Sequence, residues 1–175
     1  MGTVYLFRGK AATGKTTLAV MLARTLLIPV ICKDDIVDAL KMIEPANNKG
    51  LINNQVCYNI LYNIIQTNLN AGINIILDIA LGDRNNYNIF SKRLDFRENR
   101  ILNFFITCSD ESEWRNRHEE RIRNPKPHQN FRSFEHVIEH YKNVDFTPFE
   151  YEHIIDTSNN PDDCLKQILK ISNCN

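Results

Sequence analysis

The sequence predicts an α/β fold in which a parallel sheet carries helices on its faces. Three observations lead there. Short β-branched or aromatic runs alternate with longer helical patterns along all 175 residues. The runs are almost uniformly apolar rather than alternating, as strands buried on both faces must be. A glycine-containing turn leads from the first run straight into a helical pattern. The length suits a single domain over residues 1–175, since single domains usually hold about 100 to 200 residues.

Residues 4–7 read as the first strand, and 15–27 as the helix that follows. The run 29–32 makes a second strand, with helices over 35–43 and 54–69. A third strand at 74–77 precedes a helix at 85–99. The fourth strand, 102–107, leads into helices at 111–123 and 133–141. After a fifth strand at 153–155 comes a last helix over 161–171, opened by Pro161 at a first helical position with Asp162 and Asp163 favouring its N-terminal dipole. Residues 124–132, with Pro125, Lys126, Pro127 and His128, are the least regular and read as a mobile loop.

Composition narrows the function classes. With 21 basic and 21 acidic residues the formal charge is zero, which argues against a partner held by bulk electrostatics, such as duplex nucleic acid or an anionic membrane surface. The most apolar stretch, 18–31, is broken by Arg24 and Pro29, so no membrane span is expected. Residues 1–7 are too short for the apolar core of a signal peptide and run into Arg8 and Lys10. Cys32, Cys57, Cys108, Cys164 and Cys174 form no CxxC pair and read as free thiols of a cytoplasmic protein.

The sharpest signal is Gly9-Lys10-Ala11-Ala12-Thr13-Gly14-Lys15-Thr16, a full GxxxxGK[ST] phosphate loop between a strand and a helix. Its glycines let successive N–H groups turn inward, and the following helix places its positive end on the phosphates. Lys15 is expected to reach the β- and γ-phosphates, the Thr16 hydroxyl to join a Mg²⁺ shell, and Thr17 to continue the loop. A GTPase would need a base-reading NKxD element, but the Asn48-Lys49 pair continues Gly50-Leu51. The chain is short for a large mechanochemical ATPase, which leaves a small kinase.

A kinase needs a carboxylate near the acceptor hydroxyl. The second strand ends in Lys33-Asp34-Asp35, at the edge where ligands collect in open α/β sheets. With two carboxylates in tandem, Asp34 is expected as the base and Asp35 as helix cap or metal ligand. Asp78 ends the third strand, where it can hold Mg²⁺ or the acceptor, or simply cap a loop. Arg84, six residues on, is expected in the same crevice unless it is a plain surface arginine. Arg117 and Arg121, at i and i+4 on the helix 111–123, can meet a transferring phosphoryl group from a lid over about 111–132, or can sit on a solvated face with neighbouring glutamates. The pattern His136-Val-Ile-Glu139-His140 matches HxxEH, but with no third ligand it reads as an amphipathic helix rather than a zinc site.

In this order the motifs resemble the small P-loop kinases that include zeta toxins, chloramphenicol phosphotransferase and the kinase domain of polynucleotide kinase. The resemblance runs through residues 9–17, Lys33-Asp34-Asp35, Asp78, Arg117-xxx-Arg121 after Trp114, and the strand end Asp156-Thr157. It implies a P-loop NTPase fold, a three-layer α/β/α sandwich with strands in order 2-3-1-4-5 and a helical lid. It also implies ATP and Mg²⁺ as cofactors, Asp34 as base, the lid arginines on the phosphates, and the segment with Thr157 beside the adenine. Polynucleotide kinases usually carry an arginine three residues after the base, where this chain has Val37.

Between Arg24 and Arg84 there is no arginine; Lys33, Lys41 and Lys49 stand against Asp34, Asp35, Asp38, Glu44, Asp78 and Asp83. An anionic acceptor is ordinarily gripped by an arginine fork. The expectation is therefore an ATP-dependent kinase acting on a hydroxyl of a small neutral or cationic molecule. The alternatives are a polynucleotide 5′-hydroxyl kinase, disfavoured by charge and Val37, and a nucleotide-binding regulator without phosphotransfer.

Overall fold

The computed structural model describes residues 1–43 and 54–173. Glu44, Lys49 and Cys174 lie outside the described residues, as does the Asn48-Lys49 pair. The elements are β1 (Thr3–Arg8), α1 (Lys15–Leu26), β2 (Val30–Cys32), α2 (Lys33–Ile43), α3 (Asn54–Asn70), β3 (Ile75–Asp78), α4 (Arg84–Arg93), β4 (Arg100–Thr107), α5 (Glu111–Arg123), α6 (Phe134–Lys142), β5 (His153–Asp156) and α7 (Pro161–Asn173). The strands form one sheet in the order β2-β3-β1-β4-β5, every pairing parallel, as the resemblance implies.

Apolar strands take the centre because both of their faces are covered. On one face, Val4, Leu6, Ile75 and Leu77 pack with Leu61 and Ile65 of α3 and Tyr87 and Phe90 of α4. On the other, Tyr5, Phe7, Ile76 and Phe104 pack with Leu18 and Leu22 of α1 and Ile168 of α7. Successive residues of β1 thus feed opposite cores, the period of two that a strand imposes. In register, Phe7 lies opposite Asp78 and Cys32 opposite the same Asp78, so β1, β2 and β3 deliver their C-terminal ends to one edge.

Most boundaries shift by a residue or two from the pattern in the sequence, and three of the shifts have a local cause. Helix α2 begins at Lys33, directly from β2, so Asp34 and Asp35 sit in its first turn, where their charge suits the helix dipole, and neither is the cap. Helix α4 stops at Arg93 rather than running to 99: Leu94 is extended, and the Asp95 carboxylate accepts from the Arg97 backbone N–H at 3.1 Å in a turn where Arg97 has φ 46°. Strand β4 starts two residues early, at Arg100, because it pairs with the whole of β1.

Arg8, the last residue of β1, is fully buried. Its Nε and Nη2 donate to the two carboxylate oxygens of Glu152, both at 2.7 Å. Nη1 donates to the Leu81 (3.2 Å) and Gly82 (2.9 Å) carbonyls, and Nη2 to that of Thr147 (2.7 Å). All five guanidinium protons are therefore used, and the group lies 4.1 Å from the Phe149 ring centroid. One side chain ties the phosphate-loop strand to the turn after β3 and to the segment before β5. Removing one member of such a pair strands a buried charge. Glu152→Ala is expected to lower the unfolding free energy by about 3–5 kcal/mol, read by urea titration with circular dichroism; a change under about 1 kcal/mol would show that the network holds nothing.

Candidate active site

The phosphate loop is shaped by close approach to its neighbours. Gly9 has φ +151°, and a Cβ there would lie 2.1 Å from the Ile106 carbonyl oxygen. Gly14 has φ +89° and faces Thr157, where a Cβ would come within 3.2 Å of the threonine methyl. Between them Ala12 is also left-handed at φ 58°, a conformation that costs a non-glycine residue roughly 1–2 kcal/mol. Within the loop, the Thr13 hydroxyl (2.9 Å) and the Lys15 ammonium (2.7 Å) both donate to the Lys10 carbonyl. From outside, Trp114 Nε1 donates to the Ala11 carbonyl and the Ala11 N–H donates to the Tyr141 hydroxyl, each at 2.8 Å.

A cavity of about 460 Å³ opens in front of this loop. Lys15, Thr16, Asp34, Asp78 and Arg121 line it together. Thr16 Oγ1 donates to Asp78 Oδ2 at 2.5 Å, so the α1 hydroxyl and the β3 carboxylate present oxygens at one point. Burial pulls the Lys15 ammonium below its ordinary pKa, opposed by the charge of Asp78, while Arg121 adds to the depression and Asp34 counters it. Arg121 is likewise lowered, chiefly by burial, with Asp34 and Asp78 countering. The Cys32 thiol beside Asp78 is pushed up to about 12, by burial first and the carboxylate second, and so is no nucleophile.

A second cavity, about 530 Å³, lies on the other side of the loop, lined by Gly14, Thr17, Arg117, Arg121, Thr157 and Pro161 among others. Arg117 belongs here and not to the first cavity. Its Nη1 and Nη2 donate to the Thr157 hydroxyl (2.9 Å) and carbonyl (2.8 Å), and its Nε to Glu113 at 2.9 Å. The Thr157 hydroxyl also lies 2.8 Å from the Thr13 carbonyl. The i and i+4 spacing does put both arginines on one face, but Thr157 captures the first of them, and Arg121 alone reaches both cavities.

Asp35 and Arg84 do not line the crevice. Asp35 is exposed on the first turn of α2. The Arg84 guanidinium stacks 4.7 Å from the Phe149 centroid, drawn to the aromatic cluster around Arg8. The crevice instead contains residues that the sequence pattern did not single out as site groups: Lys33, which lies over Tyr58 at 4.8 Å, His118, His128, Gln129 and Tyr141. His136 and His140 line it too, and among the described residues no three His, Cys, Asp or Glu side chains converge as a metal site. No helix among them is long and apolar enough to cross a membrane.

The AAA domain family, AAA_33, matches residues 4–144. The chain belongs to that family. No curated protein matches the sequence. Solved structures that share the fold include a gluconokinase from Sinorhizobium meliloti, with 13% identity, TM-score 0.62 and coverage of 97% of this chain and 90% of that one. The APS kinase of Mycobacterium tuberculosis bound to AMPPNP and APS has 12% identity, TM-score 0.64 and coverage of 98% and 97%. A shikimate kinase from Aquifex aeolicus has 18% identity, TM-score 0.51 and coverage of 97% and 95%. The fold of this AAA domain is that of the small P-loop kinases.

The AAA domain's loop rests on a satellite core of Ala12, Trp114, Phe134 and Val137. His118 is buried beside it, its ring 5.4 Å from Trp114 and 5.8 Å from Phe134. Burial, with Arg121 adding to it, lowers the imidazole to about 4, against an ordinary value near 6.5, although the Ala11 carbonyl opposes the shift. The ring is neutral in the folded chain, whereas the unfolded chain takes up a proton below about pH 6.5. Stability from this group is complete above that pH and is lost as pH falls toward 4, amounting to about 3 kcal/mol at roughly 1.4 kcal/mol per pH unit. His118→Phe is expected to flatten this acid slope in urea titrations at pH 7, 5.5 and 4.5; an unchanged slope would show that another group titrates.

Proposed function

We propose that this AAA domain is a single-domain kinase that transfers the γ-phosphate of ATP to a hydroxyl of a small neutral or cationic molecule. The observation that carries the reading is the convergence of Lys15, Thr16 and Arg121 with Asp34 and Asp78 in one crevice before the phosphate loop. Loop amides and the Lys15 ammonium hold the phosphates, and Arg121 meets the charge that spreads over the transferring group. Asp34 takes the proton of the attacking hydroxyl. Arg117, tied to Thr157, flanks the nucleotide on the other side of the loop.

Mg²⁺ fits the residues present. The Thr16 hydroxyl and Asp78 carboxylate are hard oxygen donors already in contact, the kind of pair that holds Mg²⁺ together with substrate phosphates. When bound, the ion neutralises phosphate charge. Helix α5 and the loop 124–132 form the lid.

The neutral acceptor is supported by the lining. Among the described residues Arg121 is the only arginine of the crevice, and alongside Lys33 and the histidines the loop 124–132 contributes Gln129, Asn130 and Phe131, and α6 contributes Tyr141, which recognise hydroxyls and rings rather than anions. Without a second guanidinium, no fork is left for an acceptor phosphate or carboxylate once Arg121 faces ATP. ATP turnover across a panel of alcohols, nucleosides, nucleoside monophosphates, shikimate-like acids and a 5′-hydroxyl oligonucleotide tests this. Transfer is expected to neutral or cationic alcohols, with Asp34→Asn reducing kcat by about 10²- to 10⁴-fold. Efficient transfer to the acids with none to neutral alcohols would overturn the acceptor reading, and a fully active Asp34→Asn would overturn the base.

A further inference from the structure

We propose that His128 acts through Asp34: held by Asp38, its imidazole drains the proton that the Asp34 carboxylate collects. The inference rests on the reading of Asp34 as base. Its footing is a stripe on α2 formed by Asp34, Asp38 and Lys41, at i, i+4 and i+7 and so on one helix face. The loop 124–132 lies against that stripe. Lys41 Nζ donates to the Pro127 carbonyl at 2.8 Å, His128 Nδ1 lies 2.9 Å from Asp38 Oδ2, and His128 Nε2 lies 3.5 Å from Asp34 Oδ2. The loop is itself braced, the Gln129 N–H donating to the Lys126 carbonyl at 2.9 Å. The imidazole is 16% exposed and the Asp34 carboxylate 54%, so a proton that reaches the ring has a short path to water.

The protonation logic follows from what each group can accept. A carboxylate only accepts, so the 2.9 Å contact to Asp38 places a proton on Nδ1. Nε2 is then the edge turned to Asp34, and two bare lone pairs would repel at 3.5 Å. The approach is attractive only when one proton lies between them, on the ring or on the carboxylate. Other charged or titratable groups in the same crevice are Asp78, Lys15, Lys33, Arg121, His118, His136, His140 and Tyr141. A proton shared there blocks the base. Once it has left, Asp34 can accept the acceptor's proton as that O–H bond breaks, the new O–P bond forms and the bond from the γ-phosphorus to the β,γ-bridging oxygen breaks, releasing ADP. Asp34 then passes the proton to the Nε2 lone pair and returns to the carboxylate, and the imidazolium between two carboxylates releases it to water. ATP and an alcohol thereby yield ADP, a phosphate ester and one proton.

Two measurements on the full chain test the coupling. Ring ¹⁵N chemical shifts of His128, followed against pH, are expected to show a titration midpoint that falls in both Asp34→Asn and Asp38→Asn, since each loses a carboxylate that favours the charged ring. ATP turnover with water as the acceptor is expected to drop about tenfold in kcat for His128→Gln, with KM for ATP unchanged. Its acid limb should shift to lower pH. Asp38→Leu should shift the limb the same way, which a change confined to loop folding would not do. If His128→Gln keeps both kcat and acid limb while Asp34→Asn is inactive, the role of His128 is wrong and Asp34 stands as base. An active Asp34→Asn would sink the base assignment, and a His128 midpoint indifferent to Asp34→Asn would sink the pairing on its own.

Discussion

The site depends on how closely the phosphate loop is pressed between the ends of β4 and β5. Gly9 passes under the Ile106 carbonyl with no room for a side chain, and Gly14, left-handed at φ +89°, lies close against Thr157. Those two approaches fix where the loop amides point, and with them the start of α1. Thr157 then extends the constraint outward, because it receives Arg117 and so sets the azimuth of α5. The root of that helix is tied to the same strand end: Ser109 and Ser158 backbone N–H groups donate to Asp156, and the Ser158 hydroxyl accepts from the Asp110 N–H. The lid helix is thus aligned by the strand ends that shape the loop.

Much of this was legible because it follows from local rules. The buried strands announced themselves by apolar runs, and the GxxxxGK[ST] spacing demands a strand before it and a helix after it, which β1 and α1 supply. Asp34 and Asp78 could be placed because parallel strands deliver their C-terminal residues to one edge. The fates of Asp35, Arg84 and Arg117 were not legible. A helical spacing tells which face a side chain leaves from, whereas its end point depends on partners far along the chain: Thr157 for Arg117, forty residues away, and Phe149 for Arg84. Glu152, which fixes Arg8 across 144 residues, carries no local mark at all. His128 was hidden by its irregular surroundings, although the Asp34, Asp38 and Lys41 stripe was already in the sequence as an unexplained charged face on α2.

The electrostatics of the crevice are set by mutual compensation. Burial weakens the charged forms of Lys15 and Arg121, and Asp34 and Asp78 offset part of that loss. The cations remain available to phosphate without help from bulk charge, which is zero for the whole chain. His118 supplies bulk at the back of the same region without charge, so it does not compete with the phosphates for the arginine or the lysine.

Trp114 is the single tryptophan of the chain. Its indole N–H rests on the Ala11 carbonyl, and the Lys10 ammonium stands 5.4 Å from its ring centroid. The one strongly emitting chromophore therefore reports from the phosphate loop itself, with a cation at its face and the lid helix as its backbone. Any ligand that draws Lys10 away, or any movement of α5 against the loop, changes the local field on that indole. The native protein carries an intrinsic optical gauge of loop occupancy, and it needs no label.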